Sequence, residues 1–142
     1  MRRVWIVAFP GAQVLDVTGP WEVFALANRA GGTRAPRYAV SVVAPSAGAI
    51  ATSGGLALVA QRTLAQATGP VDTLIVAGGE GTRPHRRDGR LVRWITRVKS
   101  HPAGAGYTLV LKYDRNVTWQ RTSIPTLAKL APDVVVPTEI NG

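Results

Sequence analysis

No cysteine occurs among the 142 residues of this chain. Disulfides, thiolate metal sites and a cysteine nucleophile are excluded, while the compartment is left open. No apolar run reaches the about 18 residues that a bilayer span needs. Residues 4–9, which follow Met1, Arg2 and Arg3, are broken by Pro10 and Gly11 before a signal-peptide core forms. The chain is therefore expected to be cytoplasmic, with no membrane partner. Carboxylates are scarce: eight Asp and Glu stand against 17 Lys and Arg, a formal charge of +9. Such an excess invites a nucleic-acid partner, since clustered basic side chains neutralise phosphates and release counterions. Yet 14 of the 17 are arginines scattered along the chain, with a local concentration only at Arg83, Arg86, Arg87, Arg90 and Arg93. A solvated basic face is the simpler reading, and contact with an anionic ligand or a partner is the alternative. Direct DNA binding is not expected from this chain alone. The two histidines, His85 and His101, lie in unrelated loops without ligand spacing, so neither a metal nor another cofactor is expected.

What is present is one domain's worth of core, 46% hydrophobic in a length too short for two ordinary domains. Residues 3–9 (RVWIVAF) form a continuous apolar run ended by Pro10 and Gly11, the pattern of a parallel strand buried on both faces. After a loop over residues 10–17, Thr18 is placed to cap a helix with Pro20 in its first turn. Trp21, Phe24, Ala25 and Asn28 follow at helical spacing, and Gly31 and Gly32 stop the helix. A second strand is predicted over residues 38–44, and a small hairpin joins the Gly- and Ser-rich stretch 46–55 to residues 56–59. Residues 64–67 read as a short helical turn and residues 73–76 as a strand running into the turn VAGGEG, residues 76–81. Asp88 is placed to cap a helix carrying Leu91, Ile95 and Val98 as its apolar stripe, with Val92 and Trp94 flanking it. Beyond Ser100 the pattern is less regular: a loop at 101–106, a strand at 107–112, a short helix at 123–130 and a last strand from Asp133 to Val136. The alternation predicts a flavodoxin-like, doubly wound α/β fold. Its sheet is mostly parallel with helices on both faces, and any site lies at the carboxyl ends of the strands.

Two stretches carry a resemblance. FPGAQVLDVTGPWEVF (residues 9–24), with DTLIVAGGEGTR (72–83) and the helix DGRLVRWITRV (88–98), resembles the PfpI-like domain of the class I glutamine-amidotransferase superfamily. The branch it is most similar to contains isonitrile hydratases and the N-terminal domains of AraC-type transcription regulators. The resemblance covers residues 4–98 well and resumes weakly at 117–136, so the whole chain reads as a single PfpI-like domain, atypical after about residue 100 and with its C-terminal third shortened. It implies that Asp16 is the acid that stands beside a reactive cysteine in the hydratases, and that Gly78 and Gly79 form the turn whose amides approach the site. Asp16, Gly78, Gly79 and Glu80 are then the ligand-facing residues. A carboxylate near a thiol can relay a proton, and glycines let amides point at developing negative charge. The strand, elbow and helix that carry the cysteine in the family are replaced here by GYTLVLKYDRNVTW (residues 106–119). A hydroxyl nucleophile would need an adjacent base, for which His85 and His101 are the candidates, and Thr108 has no recognisable elbow around it.

The residues also admit plainer readings. Asp16 can cap backbone amides, Gly78, Gly79 and Gly81 can serve positive φ rather than a nucleotide, and Trp21 and Phe24 belong to a core. On balance the expected function is a non-catalytic ligand-sensing and dimerisation domain. It would be similar to the N-terminal domain of AraC-type regulators but lack the DNA-binding part, and would form a homodimer and bind an unknown small-molecule ligand. The alternative is an isonitrile hydratase-like hydro-lyase, or a related hydrolase, working through Asp16 on water. A third reading makes the C-terminal third a degenerate segment.

Overall fold

A computed structural model of the chain describes residues 1–30, 35–82, 89–99 and 107–110, with backbone alone at 99 and 107–110. The elements run β1 (Arg2–Val7), α1 (Val14–Ala30), β2 (Tyr38–Ala44), β3 (Ala49–Ala51), β4 (Ala57–Val59), β5 (Arg62–Thr63), β6 (Thr73–Val76), α2 (Gly89–Lys99) and β7 (Tyr107–Val110). A five-stranded sheet has the order β5-β2-β1-β6-β7, and all its pairings are parallel. β3 and β4 form a separate antiparallel hairpin, with Ile50 opposite Leu58.

β1 is the central strand, flanked by β2 and β6. Every residue from Val4 to Phe9 is at most 2% exposed, as a strand flanked by two others and covered above and below requires. Side chains alternate across a strand. Trp5 meets Trp94 of α2, with ring centroids 5.7 Å apart, so Val4 and Ile6 face the opposite side and are equally buried there. Both faces of the sheet are covered. The order reverses between β1 and β6, where the chain passes from α1 and β2 on one side to α2 and β7 on the other. That is the topological switch point of a doubly wound sheet. The flavodoxin-like α/β class read from the sequence holds for the described residues; the expected helix at 123–130, the strand at 133–136, and the residues His85, Asp88 and His101 lie outside them.

Three local expectations need correction. The first helix begins at Val14 rather than after Thr18. Gln13 stands at its start, where its carbonyl accepts the Asp16 amide at 3.1 Å, and the loop is shortened to residues 10–13. The Thr18 hydroxyl instead turns back onto the Val14 carbonyl at 3.0 Å, a bond within a helix and not a cap. Pro20 therefore sits inside the helix, where it withholds the amide that the Asp16 carbonyl would otherwise accept. On α2 the buried stripe is Leu91, Trp94 and Val98, with Trp94 at its centre and Val92 exposed. An indole outweighs Ile95 in the area it can bury, so Trp94 turns to the sheet.

Asn28 has a role that helical spacing did not reveal. Its Oδ1 accepts the amides of Arg37 and Tyr38, both at 3.0 Å, and its Nδ2 donates to the Tyr38 carbonyl at 2.9 Å. One side chain thus ties the last turns of α1 to the start of β2. Phe24 packs on Tyr38 beside it, at 4.9 Å between rings. The turn after β5 closes by a bond from the Ala67 amide to the Thr63 carbonyl at 3.0 Å, a single helical turn as expected. Among the described residues no helix is long and apolar enough to cross a membrane.

Candidate functional site

Three backbone segments meet beyond the carboxyl ends of β1 and β6: residues 10–13, the hairpin residues 51–53, and the glycine turn 78–82. Their amides and carbonyls satisfy one another. The Gln13 amide donates to the Gly78 carbonyl at 2.8 Å and the Gly81 amide to the Gly11 carbonyl at 3.0 Å. From the hairpin side, the Gly11 amide donates to Ala51 at 2.8 Å and the Ser53 amide to Ala12 at 2.9 Å. The Ser53 hydroxyl adds a bond to Gln13 Oε1 at 3.0 Å. Buried backbone groups require partners, and here the partners come from segments some forty to seventy positions apart in sequence.

The glycines explain how the segments come so close. Gly79 has φ +118, and a Cβ on it would run into the Gln13 amide nitrogen, the Gly11 carbonyl oxygen and Ala12 C. A Cβ on Gly81 would strike the Pro10 carbonyl oxygen and lie 2.9 Å from Gly11 C. Both glycines are buried. Their absent side chains are what lets the turn lie flat on residues 10–13.

Asp16 stands in the first turn of α1, where the partial positive charge of the helix end favours a carboxylate. Its Oδ2 accepts the Gly78 amide at 2.8 Å, across 62 positions of sequence. Asp16 and Gly78 are thus brought together, and the contact is direct. The consequence is chemical: this amide is already spoken for and does not point at an open space. Asp16 is half-buried, Gly79 is packed against residues 11–13, and Glu80 is exposed. Thr108 lies on β7, whose Val110 pairs with Val76 of β6. The sequence continues after Val110 as Leu111, Lys112 and Tyr113, so no thiol follows this strand. Among the described residues no group of three His, Asp or Glu side chains is placed to hold a metal ion.

Sequence reasoning missed Gln13, Ser53 and Gly11. Gln13 and Ser53 carry no motif, and their roles depend on the hairpin folding over the loop. Gly11 was legible only as a strand terminator after Pro10, whereas its φ of +77 and its approach to Gly81 make it part of the junction.

No protein-family profile matches the chain. A protein encoded in the cpoL 5′ region of Streptomyces lividans is 40% identical over 79 residues, which cover 56% of this chain and 52% of that protein. The chain thus spans about half the length of this relative. Among solved structures, a ThiJ/PfpI family protein from Pseudomonas syringae superposes with a TM-score of 0.63 at 22% identity, over 77% of this chain and 41% of the other. An AraC family transcriptional regulator from Pseudomonas putida superposes with a TM-score of 0.51 at 22% identity, over 66% of this chain and 57% of the other. Strand order, the switch-point junction of Asp16 with the glycine turn, and these superpositions agree: the chain has the ThiJ/PfpI fold, the one that its two sequence stretches resemble.

Proposed function

We propose that this chain is a non-catalytic ligand-sensing and dimerisation domain, comparable to the N-terminal domain of AraC-type regulators, with any DNA contact made by another segment or partner. The observation that carries this reading is the bond from the Gly78 amide to Asp16 Oδ2, in a chain that holds no cysteine. An acid committed to a buried amide builds the junction; with no thiol beside it, it has no nucleophile to serve. Likeness to the Pseudomonas putida regulator supports the same reading. The rival reading, hydration of an isonitrile through Asp16, draws on the second carboxylate oxygen, Oδ1, which takes no hydrogen bond among the described residues.

Dimerisation has its own support in α1. Leu15, Val23 and Leu26 are each more than half exposed. At about 100° per residue they fall within an arc of about 80°, an apolar seam on the side of the helix away from the sheet. The exposed Glu22–Arg29 ion pair, 2.5 Å, borders it. A second copy of the same helix covers such a seam in an isologous contact. Light scattering on the purified chain is expected to give twice the chain mass at micromolar concentration. Leu26→Arg, which places a charge in the seam, is expected to give the monomer mass with an unchanged circular dichroism spectrum. A wild-type monomer would remove dimerisation from the proposal.

A further inference from the structure

A groove of about 490 Å³ runs between α2 and the turn after β5, lined by Leu64, Ala65, Arg90, Arg93, Trp94 and Arg97. It shares no residue with the Asp16 junction. Its volume is that of a small-molecule site. One wall is apolar and uncharged, and the other carries three guanidinium groups at positions i, i+3 and i+7 of a single helix. These span two helical turns, with rises of about 4.5 and 6 Å between neighbours.

Two features make the charge on that wall stand out. The eleven residues of α2 contain no Asp or Glu, and among the described residues no carboxylate pairs with Arg93 or Arg97. Asp16, Glu22 and Asp72 are engaged elsewhere, at Gly78, Arg29 and the Arg3 amide. In addition, Trp94 is buried and its Nε1–H has no hydrogen-bond partner among the described residues. A buried donor without an acceptor is uncommon and points to a group supplied from outside. Like charges held side by side on one helix face repel, and a counter-anion relieves that repulsion. Guanidinium is suited to binding oxyanions with two parallel N–H donors.

We propose that this groove binds a small polyanion, a ligand carrying two or more phosphate or carboxylate groups about one helical turn apart, held by Arg93 and Arg97 with Arg90 at the end of the row. The anionic oxygens face the guanidinium groups, and the body of the ligand lies on Leu64 and Ala65. A single-charged anion satisfies only one of the arginines and binds far more weakly.

Isothermal titration of the full chain at low ionic strength, with pyrophosphate, citrate and acetate as the probes, tests this. Pyrophosphate or citrate is expected to bind one per chain and at least about 30-fold more tightly than acetate, and the stronger of the two identifies the phosphate or carboxylate class. Arg93→Gln and Arg97→Gln, both exposed and without a hydrogen bond or ion pair among the described residues, are each expected to weaken that binding about 10-fold, the loss of one charge-assisted contact. Arg29→Gln, on α1, controls for net charge and is expected to leave affinity unchanged. Equal weakening by Arg29→Gln, or equal affinity for all three anions, would overturn the proposal. So would a single-stranded oligonucleotide that binds far more tightly than either polyanion and loses affinity in proportion to net charge; that result would assign the face to nucleic acid.

Discussion

Gly81→Ala is expected to lower the unfolding free energy by more than about 3 kcal/mol, a large fraction of the about 5–15 kcal/mol that keeps an ordinary domain folded. The new Cβ meets the carbonyl oxygen of Pro10 and lies 2.9 Å from Gly11 C and 3.0 Å from Gly11 Cα. All three are backbone atoms, so no flexible side chain can swing aside. Moving residues 10–11 away breaks the bonds from Gly81 to Gly11 and from Gly11 to Ala51, and with them the seat of the hairpin. Gly79→Ala adds conformational strain to the same collision, because its φ of +118 lies where a side chain is rarely accepted. Gly54→Ala serves as the comparison: its Cβ meets nothing within 4 Å, and a change of at most about 0.5 kcal/mol is expected. Urea unfolding followed by circular dichroism distinguishes these outcomes. If Gly81→Ala unfolds at the wild-type midpoint, the loop and the turn are not in contact.

Asp16→Ala is expected to cost about 2 to 3 kcal/mol, with Asp16→Asn costing about 1. The alanine leaves the buried Gly78 amide without an acceptor, and an orphaned buried donor loses about 1–3 kcal/mol. It also removes a negative charge from the first turn of α1, worth a further 0.3–1 kcal/mol at about typical exposure. Asparagine keeps an oxygen in reach of the amide at the observed 2.8 Å while giving up the charge, so it recovers most of the loss. The denaturation midpoint should fall in the order wild type, Asn, Ala, with the slope unchanged. A neutral Asp16→Ala would mean that the carboxylate faces a ligand and does not hold the turn. This ordering separates the two roles the sequence left open for Asp16: capping of backbone amides, or service to a bound molecule.

The central strands β1 and β6 were legible because their buried residues form unbroken apolar runs, whereas the two-residue edge strand β5, Arg62–Thr63, carries no such signal. The run at residues 4–9 and the strand ending in Val76 needed no tertiary information. The start of α1 was not legible. Thr18 and Pro20 together read as a cap and a first turn, but the loop bonds of Gln13 to Gly78 pull the helix start back to Val14, a long-range effect that local propensity does not carry. Trp94 was assigned to the flank because a stripe of aliphatic residues fits equally well one position over. Only its packing on Trp5 decides between them. At the site, Asp16 and the glycine turn were found through their resemblance to a family pattern. That they touch follows from the parallel pairing of β1 with β6, which sets the two loops side by side. Gln13 and Ser53 belong to no motif and could be found only in three dimensions.

The proposed absence of catalysis is tested most directly by incubating the well-folded full chain with an alkyl isonitrile and following the formamide by proton NMR. No formamide above the buffer control is expected, at any substrate concentration that leaves the protein folded. Formamide that accumulates with turnover and disappears in Asp16→Asn, a variant expected to remain folded, would contradict the account and make Asp16 the acid of an enzyme that works without a thiol.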